Sequence, residues 1–201
     1  EVPLLEGRHD VLERWTGNFT TWSNPERVLS EGPPYCELMF KAAPGGPLEL
    51  RLRDYCRSRG YGPWLTVACQ EKGSYRESDV LNFLEKHLPP MTGTRRWRIM
   101  MADDYGPHKS DAVFNMCWSR GYVMVPHGGG VTPISQTPDT HLNQHVKKHY
   151  TNLEAEELMT QMRAGFVVPC ATKEASIDMM YQVLSQSRLH LHAASGYKAT
   201  G

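Results

Sequence analysis

Trp97-Arg98-Ile99-Met100-Met101-Ala102-Asp103-Asp104 is the stretch on which the fold reading turns. Its side chains run nearly unbroken in apolar character and then stop on two carboxylates. A short apolar run of this kind predicts a central strand buried on both faces. The end of such a strand is where α/β sheets build polar sites. Just downstream, Ser110–Arg120 predicts a helix, with Gly121 placed as its C-terminal glycine. Tyr122–Val125 then predicts another buried strand, and a Pro126-His-Gly-Gly-Gly130 loop follows it.

Working outward, Val11–Trp22 is rich in β-formers and predicts a strand. Tyr35–Lys41, the alternating Leu48–Arg53 and the apolar Trp64–Gln70 predict three more. Ser74 followed by Glu77 reads as a capping box, and Val80, Leu81, Phe83, Leu84 and Leu88 follow at helical spacing. Pro89 and Pro90 end that helix. Further helices are expected at about Asp139–Tyr150, Asn152–Ala164 and Thr172–Ser187, with a loose tail after His190. This order predicts an α/β layered domain in which helices flank one mixed sheet.

The chain has 201 residues, with 22 Lys plus Arg against 22 Asp plus Glu. A 40% hydrophobic share supports a real core and excludes a wholly disordered or collagen-like chain. Zero net charge removes a global basic field, so nucleic-acid binding has to come from local patches. Cys36, Cys56, Cys69, Cys117 and Cys170 are scattered without a C-x-x-C pair, as reduced buried thiols would be. With no basic-then-apolar leader and no long apolar run, an intracellular protein without membrane contact is expected.

The acids carry the chemical argument. Asp103 and Asp104 close an apolar strand, and Asp139 opens an expected helix after a glycine-rich loop. Carboxylates from different elements can hold Mg²⁺, which needs only one or two of them plus water and phosphate. Paired ions of this kind activate water and steady the leaving oxygen in phosphodiester chemistry.

The stretch Ile99-Met-Met-Ala-Asp103-Asp-Tyr-Gly-Pro-His108 resembles the apolar-strand, Asp-Asn-x-x-x-His segment of DDE superfamily endonucleases of the pogo/Tigger transposase type. Val125-Pro126, Thr132-Pro-Ile-Ser-Gln136-Thr-Pro-Asp139 and Lys147 resemble that family's later Leu-Pro-Pro, Thr-Ser-Leu-Ile-Gln-Pro-Leu-Asp and Lys segment. The resemblance covers 97–150 most fully, extends back to Val11 and fades beyond Tyr150. It implies an RNase H-like domain over 1–165, followed by a C-terminal helix and tail over 166–201. Asp103 and Asp139 would be catalytic and, with Asp104, would hold Mg²⁺ or Mn²⁺. His108, Gln136, Asn143, Lys147 and Lys148 would contact DNA. The partners implied are DNA and a second copy of the chain, with no small-molecule substrate; in a eukaryote the location would be the nucleus.

The sequence also departs from the family. Asp104 stands where the family has Asn, Thr137 replaces a Pro, and the Gly128-Gly-Gly130 loop is longer. The family's first catalytic Asp belongs to the first strand of the sheet, which is expected before Glu1. A domesticated domain that binds DNA or protein without cutting is therefore the alternative.

Plainer readings stand beside these. Asp103 could be a helix N-cap and Asp139 a first-turn acid. His108 could position phosphate or cap the following helix. The triple glycine lacks a P-loop pattern and reads as a turn. His141, His145 and His149 recur along one helical stripe that could hold zinc or copper. That stripe does not converge with Asp139 and reads as a solvated face. The same default applies to the arginines of 51–59, to Arg95-Arg96-Trp97-Arg98 and to Lys147-Lys148.

Overall fold

The computed structural model describes residues 15–20, 35–88, 90, 97–103, 105–126 and 142–186. The chain order is β1 (Thr16–Thr20), β2 (Tyr35–Lys41), α1 (Pro47–Ser58), β3 (Leu65–Gln70), α2 (Glu77–His87), β4 (Arg98–Ala102), α3 (Asp111–Ser119), β5 (Tyr122–Pro126), α4 (Asn143–Arg163) and α5 (Lys173–Leu184). A single 3-10 turn, Gly106–Lys109, lies between β4 and α3. The protein is mixed α/β. Among the described residues its strands form two small sheets, one ordered β1-β2-β3 and the other β4-β5.

The chain divides into two compact units. The first holds the β1-β2-β3 sheet, apart from Tyr35, with α1, α5 and nearly all of α4. β2 and β3 run parallel, from Cys36 opposite Leu65 to Lys41 opposite Gln70. Parallel neighbours need a crossover, and α1 supplies it. Every residue from Cys36 to Phe40 is buried, so β2 is the strand covered on both faces. Leu52, Ile177, Met180 and Val183 complete this core.

The Leu48–Arg53 strand expected from its alternation is instead the first half of α1. Six alternating residues match a helix equally well when the inward ones are spaced at three and four, and Glu49, Leu52 and Cys56 form the buried face. The turn before it decides the matter. Gly45 takes a left-handed φ of 67°, Gly46 is the N-cap, and Pro47 brings a preset helical φ to the first turn. Buried Glu49 locks the start: its carboxylate accepts from the backbone N–H of Gly45 at 2.9 Å and of Cys69 at 3.1 Å, and pairs with Arg53 at 2.5 Å.

The two helices expected on either side of Thr151 form one 21-residue helix, α4. Neither Gly nor Pro lies in that interval, so nothing stops propagation. α5 begins at Thr172, whose Oγ1 accepts from the Ala175 N–H at 3.1 Å.

The second unit holds α2, β4, the 3-10 turn, α3 and β5. The helix after Ser74 forms, but its capping contact falls at Arg76, whose backbone N–H donates to Asp79 at 2.8 Å. β4 and β5 are parallel, with Met100 opposite Met124 and Ala102 opposite Pro126, and α3 is their crossover. Ser110 caps α3 by accepting from the Val113 N–H, and Gly121 at φ 85° lets the chain leave it, as expected. Val113 and Cys117 cover the inner face of this pair, with the Cys117 Sγ 3.8 Å from Met100 Sδ and 4.0 Å from Met124 Sδ.

The expectation that Trp97–Ala102 is buried on both faces is not met. β4 pairs only with β5 among the described residues, and its burial alternates, with Ile99 72% and Met101 44% exposed. An apolar run reports composition, and one crossover helix covers only one face of the pair.

Candidate active site

The parallel strand β4 delivers Asp103 at its C-terminal end. Gly106 and Pro107 then begin the 3-10 turn, which folds His108 back toward the strand end. The turn is closed by the His108 backbone N–H donating to the Tyr105 carbonyl at 3.0 Å. The Tyr105 hydroxyl donates to the Tyr75 carbonyl at 2.7 Å and ties the loop to the start of α2. Within this frame the His108 Nδ1–H donates to Asp103 Oδ1, with the Tyr105 ring edge-on to the imidazole at 5.5 Å.

The His108 side chain is largely buried at 17% exposure, whereas that of Asp103 is 54% exposed. The histidine bond holds the Asp103 carboxyl below its ordinary value of 3.8. Burial opposes this less strongly, and the His108 charge and the backbone N–H groups of Tyr105 and of Asp103 itself add smaller lowering contributions. Asp103 is therefore an ionised acceptor at neutral pH, which places the proton on Nδ1. In the neutral imidazole Nε2 is then an acceptor.

Two chemistries follow from this geometry. A half-exposed ionised carboxylate held by a neighbouring histidine suits a hard divalent cation. An imidazole oriented by a carboxylate can accept or return a proton at its outer nitrogen. Asp103 thus fits as one ligand of Mg²⁺ or Mn²⁺. Among the described residues there is no group of three or more His, Cys, Asp or Glu able to hold a metal.

No family model, curated protein or solved structure matches the chain.

Of the residues singled out in the sequence, the structure brings Asp103 and His108 together. Asp104, Gln136 and Asp139 lie outside the described residues, and with them the expected approach of Asp103 and Asp139. Asn143 is half-buried at the start of α4, and Lys147 and Lys148 are exposed on that helix within the first unit. The direct Asp103–His108 bond went unread in the sequence, where His108 figured as a phosphate contact or a cap. The signal was the intervening Gly106-Pro107, a turn pair that returns the chain on itself.

The arginines of 51–59 prove to be paired. Arg51 meets Glu174 at 3.1 Å, Arg53 meets Glu49, Arg57 meets Asp54, and Arg59 meets Asp178 at 3.4 Å. Asp178 also accepts from the hydroxyls of Tyr55 and Tyr61, so this surface braces α1 against α5. Among the described residues no helix is long and apolar enough to cross a membrane.

Proposed function

We propose that the chain is a DNA-processing domain of the pogo/Tigger DDE type, with an RNase H-like arrangement of its parallel β-α-β segments. The observation that carries this reading is the ionised Asp103 at the C-terminal end of a parallel strand, clamped by His108. Asp103 and Asp139, with Asp104 in support, would hold Mg²⁺ or Mn²⁺, which supplies an activated water and charge stabilisation at a scissile DNA phosphate. The chain's own residues do the rest. His108 holds the Asp103 side chain in one position through its ring nitrogen. Gln136, Asn143, Lys147 and Lys148 hold DNA phosphates, giving affinity without sequence readout.

The test is Mn²⁺ binding by the 201-residue chain, followed by electron paramagnetic resonance. Asp103→Asn weakens it about tenfold or more, and His108→Ala weakens it less, as loss of an orienting partner does. Equal affinity in wild type and Asp103→Asn would sink the proposal.

A second reading is a domesticated domain that binds DNA or protein without cutting. The carboxylate pairing of all four arginines in 51–59, in a chain of zero net charge, favours it. Mn²⁺-independent binding of a partner, unchanged in Asp103→Asn, would select this alternative.

A further inference from the structure

Three sulfur atoms converge between α3 and the β4-β5 pair. Met100 and Met124 stand opposite each other on the two parallel strands, and Cys117 faces them from the crossover helix. The Cys117 Sγ is 3.8 Å from Met100 Sδ and 4.0 Å from Met124 Sδ. A thiophilic ion takes metal–sulfur bonds of about 2.3 Å, so three sulfurs spread evenly around it stand about 4 Å apart. Both separations meet that requirement. Cys117 is fully buried and Met124 is 7% exposed, whereas Met100 is half-buried and leaves a way in. All three residues belong to the second unit.

We propose that Cys117, Met100 and Met124 form a site for a soft monovalent ion, Cu⁺, held by one thiolate and two thioethers. Thiolate and thioether sulfur select Cu⁺, whereas carboxylate oxygen selects Mg²⁺ and Mn²⁺. The site is thus chemically distinct from Asp103 and independent of the nuclease reading. Charge narrows the choice further. Burial pushes the Cys117 thiol up to about 11, with Arg120 opposing, so the thiol keeps its proton at neutral pH. Cu⁺ binding releases that proton to solvent as the copper–sulfur bond forms. One positive charge enters as another leaves, and no electron moves. The loaded cluster is neutral, which suits a buried place. Zn²⁺ there would leave the cluster one positive charge, which burial penalises. The ion ties β4, β5 and α3 together through one ligand from each.

The experiment is anaerobic titration of the full chain with Cu⁺ against a colorimetric Cu⁺ chelator. Met100→Leu and Met124→Leu, which keep the side-chain volume, and Cys117→Ser each weaken the tightest binding at least about tenfold. Cys170→Ser, at a half-buried thiol outside the cluster, leaves it unchanged. Wild-type affinity in Cys117→Ser, or in both methionine variants, would overturn the proposal. Should a variant fail to fold, Ag⁺ decides the point in the wild-type chain, since it is diamagnetic and shares the charge and softness of Cu⁺. Shifts of the Met100 and Met124 methyl signals in NMR spectra support the site, and their staying unmoved refutes it.

Discussion

Asp103 shows how one neighbour sets a carboxylate's behaviour. Because its folded-state value is lowered, the contact with His108 adds stability above the ordinary carboxylate range. That stability is lost as pH falls through the lowered value. In His108→Ala the Asp103 titration, read by carboxyl carbon NMR, moves up toward 3.8. An unchanged midpoint would mean that the histidine is not the cause. Glu49 is the stricter case because it is only 5% exposed. Its removal strands the N–H groups of Gly45 and Cys69 and leaves Arg53 without its carboxylate, with only the Val67 carbonyl to bond. Glu49→Ala is expected to cost about 2–4 kcal/mol in urea unfolding. A loss under about 1 kcal/mol would show that water takes over these donors.

At the scale of elements, α2 carries the pH sensitivity. His87 lies at its C-terminal end, 6% exposed, stacked on Tyr35 at 4.9 Å and tilted against Phe83 at 4.8 Å. Burial, with a smaller push from Lys86, lowers its pKa from 6.5 to about 4. Between those values the unfolded chain binds the proton that the folded chain refuses, so stability falls as pH drops through that window. The loss from pH 7 to 4 is roughly 2–3 kcal/mol. His87→Phe keeps a ring against Tyr35 and flattens that slope in denaturant midpoints taken across the window. A slope that survives the substitution would place the sensitivity elsewhere. Most elements were legible, since Ser110 and Gly121 bracket α3 with a cap and a left-handed exit. Leu48–Arg53 was not, because six alternating residues satisfy two periodicities and only the Gly45-Gly46-Pro47 turn chooses between them.

For the whole molecule, the expectation concerns cleavage. On the proposed reading Asp103 and Asp139 would be two of a site's three carboxylates, and two-metal chemistry must stabilise attacking and leaving oxygens together. Residues 1–201 with Mn²⁺ are therefore expected to leave labelled duplex DNA uncut. Nicking that disappears in Asp103→Ala would show that a further carboxylate of this chain completes the site. The sequence by itself determined the mixed α/β class and the strand-helix-strand order around Asp103, because apolar runs, caps and breakers are local signals. Only the tertiary structure decided which strand is covered on both faces. β2 is, lying between β1 and β3, whereas β4 is covered on one side by α3. The tertiary structure likewise cancelled the arginine cluster, since Glu174 and Asp178 reach it from α5, more than a hundred residues along the chain. Burial and charge pairing depend on what other elements bring near, and periodicity along one segment carries no record of that.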